Sequence, residues 1–201
     1  MSVQLINAKV GSPSWPPVMA GRQFRPARLS DMPRLKNLID AAVRHLGGRD
    51  YSRQQIESSL QYIFGADTPQ LIADGTYYVV EIDGQLAGAG GWSKRKTLYG
   101  GDQAKAETED NRLDPSRDAA KIRAFYVDPH RARQGIGRQL LRVCETAARQ
   151  AGFTRLELMA TLTGMPLYAA CGFRVVAPAE IEMPDGIRLP VAKMEKIITS
   201  P

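Results

Sequence analysis

The sequence predicts an α/β fold: a mixed, largely antiparallel central sheet flanked by helices, with one parallel strand-helix-strand unit. Three observations carry this expectation. β-prone runs and runs of helical period alternate along 201 residues, a length suited to one domain with its own core. Asp83-Gly84 separates two β-prone runs and marks an antiparallel hairpin. Finally, a strand, a long helix and a second strand follow one another from Lys121 to Thr161. Such a unit is parallel, with a right-handed crossover.

Each element has a local cause. Gln23 to Arg25 reads as a short opening strand, and Ser30 or Asp31 as the N-cap of a helix with Pro33 in its first turn. Leu35, Leu38, Ile39, Ala42, Val43 and Leu46 recur at helical spacing until Gly47-Gly48 stops the run. Ser52 to Phe64 is a second helix, with Ile56, Leu60, Ile63 and Phe64 on one face. Tyr77 to Ile82 and Gln85 to Trp92 form the hairpin. Ser93 to Ala119 is polar and rich in turn residues, so it reads as a long loop of the kind that carries substrate contacts. Lys121 to Val127 is a strand, and Gly137 to Gln150 a helix with Leu140, Leu141, Cys144, Ala147 and Ala148 inward. Arg155 to Thr161 is a strand, and Gly164 to Cys171 a short helix stopped by Gly172. "FRVV" and "IRLPVAKMEKII" close the chain as two strands.

Composition narrows the function. Hydrophobic content of 43% and charged content of 24% are those of an ordinary soluble domain. Two scattered cysteines, Cys144 and Cys171, make neither a disulfide framework nor a zinc spacing, which points to the reducing cytoplasm. Only His45 and His130 are present, so histidine-based metal or triad chemistry has few candidates. The first 21 residues contain Pro13, Pro16 and Pro17 and read as a loosely ordered extension that docks through Trp15, neither signal peptide nor membrane span. A net charge of +6 and a pI of 9.5 favour an anionic partner. Nucleic acid is not expected, because no basic stripe is interleaved with aromatics.

The anion site is the stretch "AFYVDPHRARQGIGRQLL". The first amides of a helix lack intrahelical partners and, with the helix dipole, attract phosphate. Gly135 and Gly137 allow close backbone approach, and Arg131, Arg133 and Arg138 supply charge. A P-loop would have Lys-Ser or Lys-Thr after the glycines, where Arg138 stands. A dinucleotide fingerprint would have a small residue in place of Leu140. Taken alone, Gly-Ile-Gly is also an ordinary tight turn into a helix.

Together with "LELMATLTGMPLYAACGF", the stretch resembles the GNAT superfamily of acetyl-CoA-dependent N-acetyltransferases. Gly135-Ile136-Gly137 matches the glycine part of the family's pyrophosphate loop, and Tyr168, four residues before Gly172-Phe173, matches its second signature. Ala132 stands where the family has Gln or Arg, and Thr161 where it often has Asn. The resemblance runs from Phe24 to Ile198, most strongly from Ile122 to Phe173. It assigns residues 1–21 to the extension and 22–199 to an N-acetyltransferase domain.

The resemblance implies specific roles. Phe125, Tyr126 and Val127 offer backbone groups to the pantetheine and thioester. Arg133, Gln134, Gly135, Ile136, Gly137 and Arg138 hold the pyrophosphate. By their own spacing, Arg138 and Arg142 share one helix face and either reach the 3′-phosphate or form a solvated face. The acceptor amine attacks the thioester directly, with no protein nucleophile and no metal, and Tyr168 protonates the leaving thiolate. Read by itself, Tyr168 is also a packed aromatic on a short helix with its hydroxyl satisfied locally. The same fold also serves as a non-catalytic acyl-CoA-sensing or interaction module. No base is named by the motifs. Glu157 faces opposite to Leu156 and Leu158 and is a base or simply a solvated strand residue; Glu81 and Asp118 are weaker candidates. Trp92 lines the acceptor site or belongs to the core. His130 touches a phosphate or stays exposed, and both cysteines are packing residues. Expected partners are acetyl-CoA and an amine acceptor of unknown identity, with no membrane; a homodimer is left open.

Overall fold

A computed structural model describes residues 21–96 and 112–198. The N-terminal extension, Trp15 and the middle of the Ser93 to Ala119 loop fall outside them. Seven strands form one sheet in the order β1-β2-β3-β4-β5-β7-β6. They are β1 (Arg22–Pro26), β2 (Tyr77–Ile82), β3 (Gln85–Ser93), β4 (Ala120–Val127), β5 (Arg155–Thr161), β6 (Arg174–Glu182) and β7 (Arg188–Ile197). Every neighbouring pair is antiparallel except β4 and β5. The predicted hairpin forms at Asp83-Gly84, both with positive φ as its turn requires.

Helices cover both faces. On one lies α4 (Ile136–Gln150), whose Leu140, Cys144 and Ala148 are fully buried beside Ile122, Leu156 and Leu158. On the other, α1 (Met32–Gly47) buries Leu35, Leu38 and Ile39 against Tyr77, Val79 and Ala89. The helix α2 (Arg53–Tyr62) packs Ile56 near Leu189 and Val191. Ser52 caps α2, with Gln55 completing a reciprocal pair of bonds.

Several expectations need correction. Asp31 precedes α1, but its carboxylate does not cap the helix. It pairs with Arg25 at 2.7 Å and accepts the Arg28 amide, because a charged partner outcompetes the helix amides. A short helix, α3 (Thr68–Ala73), adds to the expected elements; six residues are too few to show a period. The strand β6 runs past Pro178 to Glu182, which an edge strand tolerates because proline removes a donor only on its open side. Ser93 belongs to β3, and the loop after it is anchored at its start by a bidentate Arg95–Asp74 pair.

Tyr51, between α1 and α2, ties the lower sheet together. Its hydroxyl donates to Pro190 O at 2.7 Å and accepts the Leu162 amide at 2.8 Å. Tyr51→Phe leaves both backbone groups without that partner. The variant is expected to unfold in urea with stability lower by about 1–3 kcal/mol.

Candidate active site

The site begins with a fault in the sheet. On β3, Ala89 pairs with Tyr126 and Gly91 with Arg123, so Ala124 and Phe125 together oppose Gly90. Ala124 takes a positive φ of 54° at this bulge, and the Tyr77 hydroxyl donates to its carbonyl at 3.0 Å. Gly90 is required there, because a Cβ would lie 2.8 Å from the Phe125 ring. On its other edge, β4 pairs with β5 only through Ala120↔Leu156 and Lys121↔Glu157. Beyond that point the parallel strands part. The backbone of β4 beyond Lys121 therefore faces a gap on the β5 side, an edge that strand pairing leaves open to a ligand.

The gap opens into a cleft of about 450 Å³. Its upper lip is Phe125 and Tyr168, the latter on α5 (Met165–Ala170). Tyr168 is buried and meets Phe125 and Phe173 edge-on, at 6.2 and 5.8 Å between ring centres. Burial pushes its hydroxyl pKa well above that of an ordinary tyrosine, so it stays protonated at any working pH. Thr161 uses its hydroxyl oxygen to accept the Gly164 amide at 3.1 Å, stabilising the turn into α5.

The opposite part of the cleft lies on the α1/α2 face and mixes apolar walls with paired charges. Ile63, Phe64, Met159, Leu189 and Val191 form the walls. Glu157 sits between Lys121 at 3.3 Å and Lys193 at 3.2 Å. Glu157 therefore does face away from Leu156 and Leu158, but it lies in the cleft as part of an ion cluster, not free in solvent. Burial lowers the pKa of Lys121, which the Glu157 charge partly offsets. Asp67, between α2 and α3, lies 3.6 Å from Arg123. Burial raises its pKa, against the pull of Arg123.

At the C-terminal end of β4, a single helical turn (Pro129–Arg131) leads to the glycine loop. Arg133 and Gly135 both take left-handed backbone, with φ of 64° and 81°. Gly135 is the N-cap of α4, and no side chain caps that helix. The amides of Ile136, Gly137 and Arg138 therefore point from the helix start without intrahelical partners. Arg133, Gln134, Gly135 and Arg138 are exposed, whereas Ile136 and Gly137 are buried. The Ile136 side chain is a core residue, so only its amide is available to a ligand. Gly137 is needed for close packing, since a Cβ would lie 2.9 Å from Leu167 of the neighbouring chain segment. Arg131 is drawn toward Asp128 and Asp83, at 3.8 and 4.0 Å, rather than toward the loop.

The remaining sequence candidates lie elsewhere. Glu81 is held by Arg25 and Arg34, each at 2.9 Å, and Asp118 accepts the Asp114 amide at 2.7 Å; neither lines the cleft. Trp92 packs edge-on against Phe153 in the α4 core, at 6.0 Å. His130 is exposed, and its amide donates to Asp128. Cys144 is buried and Cys171 half-buried, both unpaired. Asp67 and Arg123 belong to no motif in the sequence, so nothing local singles them out.

A bulged strand splayed from a parallel neighbour, with an uncapped helix start at one end and a buried tyrosine on the lip, defines a class of protein. The model of the acetyltransferase (GNAT) family matches residues 38–173, and the chain belongs to that family. No curated protein matches the chain. Among solved structures it is similar to a GCN5-related N-acetyltransferase from Rhodopseudomonas palustris, at 19% identity and a TM-score of 0.66, covering 90% of this chain and 98% of that one. The PaiA N-acetyltransferase of Thermoplasma acidophilum, in complex with coenzyme A, matches at 15% identity and 0.59, covering 88% and 98%. A ribosomal-protein-alanine N-acetyltransferase from Brucella melitensis matches at 20% and 0.57, covering 88% and 99%. These likenesses establish the shared fold.

Proposed function

We propose that the protein transfers an acetyl group from acetyl-CoA to a primary amine by direct attack on the thioester. The observation that carries this reading is the parting of β4 from β5 between the uncapped start of α4 and Tyr168. Acetyl-CoA fits these residues. The amides of Ile136 to Arg138, with Arg133 and Arg138, suit its pyrophosphate. The unpaired edge of Phe125, Tyr126 and Val127 suits its amide-bearing pantetheine arm. Bound there, acetyl-CoA supplies an activated acyl group. Tyr168, protonated and lining the cleft, donates its proton to the departing sulfur. The acceptor enters from the α2 side, between Phe64 and Met159. Unpaired cysteines favour the reducing cytoplasm as its location.

The test is release of coenzyme A thiol by purified protein with acetyl-CoA and a panel of amines. The panel contains 2-phenylethylamine, spermidine, an alanine-ending peptide amine, free amino acids and hydroxylamine. Amine-dependent thiol release with an acetylated product is expected. Tight acetyl-CoA binding with no amine acetylated would instead mark a sensing module.

A further inference from the structure

The acceptor side of the cleft holds two carboxylates in different company. Both oxygens of Glu157 are engaged by ammonium groups, one by Lys121 and the other by Lys193. Asp67 has Arg123 at 3.6 Å, longer than a hydrogen bond. Asp67 also stands in the position where an aspartate ordinarily caps a helix, yet its side chain makes no cap bond to α3. Asp67 lines the cleft instead, with its side chain 22% exposed.

That placement is built, not incidental. The Phe64 ring meets Tyr126 edge-on at 6.2 Å, and Gly65 hydrogen-bonds the Tyr126 hydroxyl through its backbone. Gly65 takes a φ of +86°, and a Cβ there would come within 3.2 Å of Ile39. The segment before Asp67 is thus pinned to the bulged part of β4. The next residue of that strand toward the bulge, Phe125, touches Tyr168. Asp67 and Tyr168 therefore flank the same stretch of splayed backbone.

We propose that Asp67 is the proton-accepting residue of the acetyl transfer, receiving the acceptor's ammonium and deprotonating it before attack. This rests on the acetyltransferase reading above. The groups that face Asp67 are Arg123 and Tyr126 of β4 and Tyr77 of β2; Lys121, Glu157, Lys193 and Tyr168 share the cleft. Both tyrosine hydroxyls are held neutral by burial, so among the described residues Arg123 is the charge that opposes proton uptake at close range. The protons balance. Asp67 takes one from the ammonium and passes it to solvent. The neutral nitrogen forms the C–N bond, and the C–S bond breaks as Tyr168 gives its proton to sulfur. The second nitrogen proton, shed through water, restores the Tyr168 hydroxyl.

A nucleophile that is already neutral near neutral pH separates this role from a structural one. Asp67→Asn is expected to lower turnover of the best primary amine in the panel about a hundredfold or more, while hydroxylamine turnover and acetyl-CoA affinity stay within about threefold. Asp67→Glu keeps the charge beside Arg123 and moves the carboxylate, and is expected to show the same split more weakly. Primary-amine turnover within about threefold of wild type in both variants overturns the proposal. An equal loss with both nucleophiles overturns it too. A wild-type protein that binds acetyl-CoA but acetylates neither amines nor hydroxylamine defeats the parent reading instead.

Discussion

Tyr168→Phe is expected to lower kcat by about a hundredfold or more and to leave acetyl-CoA affinity within about twofold of wild type. The substitution removes one oxygen from a ring that keeps its edge-on contacts with Phe125 and Phe173. The lip of the cleft should therefore hold its shape, and the loss falls on the chemical step. The hydroxyl is buried and its pKa lies far above the ordinary value of about 10, so it is a donor throughout the working range. The basic limb of the pH–kcat profile should accordingly not arise from Tyr168 below about pH 10. Stopped-flow or steady-state thiol release with calorimetric affinities checks both halves. An unchanged kcat at saturating substrates removes Tyr168 from the mechanism.

Gly135→Val is expected to weaken acetyl-CoA binding about tenfold or more, with little change in thermal midpoint. Gly135 has a φ of 81°, and open space surrounds a Cβ placed there. The cost is thus one of backbone conformation, about 1–2 kcal/mol for an L-residue and greater for a β-branched one. The exposed loop relieves it by leaving the left-handed region, which swings the amides of Ile136 to Arg138 away from the phosphates. A strain of about 1.4 kcal/mol corresponds to a tenfold change in affinity. The core under α4 does not contain Gly135 and should be undisturbed. Gly137→Val gives the contrasting case: it drives a side chain into Leu167, beside Tyr168 on α5, so it is expected to lower stability as well as affinity.

Local signals make most of the fold legible in the amino-acid sequence. The strict spacing of Leu140, Cys144 and Ala148 places α4 and its buried face. Asp83-Gly84 fixes the hairpin because few other residues accept two positive φ values in succession. The glycine loop and Tyr168 are visible because each is a residue type demanded by a local geometry or a local motif. What stays hidden depends on strand order. The alternation along β5 puts Glu157 on the correct face, but its lysine partners come from β4 and β7, which only the β4-β5-β7 order makes neighbours. Asp67 is hidden more deeply. No motif marks it, and its approach to Arg123 follows from the pinning of Phe64 and Gly65 on Tyr126. The β4–β5 splay is invisible for the same reason: pairing that stops after two residues leaves no mark in either strand's composition.

Everything proposed for the chemistry depends on the gap between β4 and β5, with the start of α4, being an acetyl-CoA site. Calorimetric titration of the purified protein with acetyl-CoA decides this. Saturable binding at a single site is expected, weakened about tenfold or more in Gly135→Val. Absence of binding, or binding that Gly135→Val leaves unchanged, would mean that the coenzyme does not sit there.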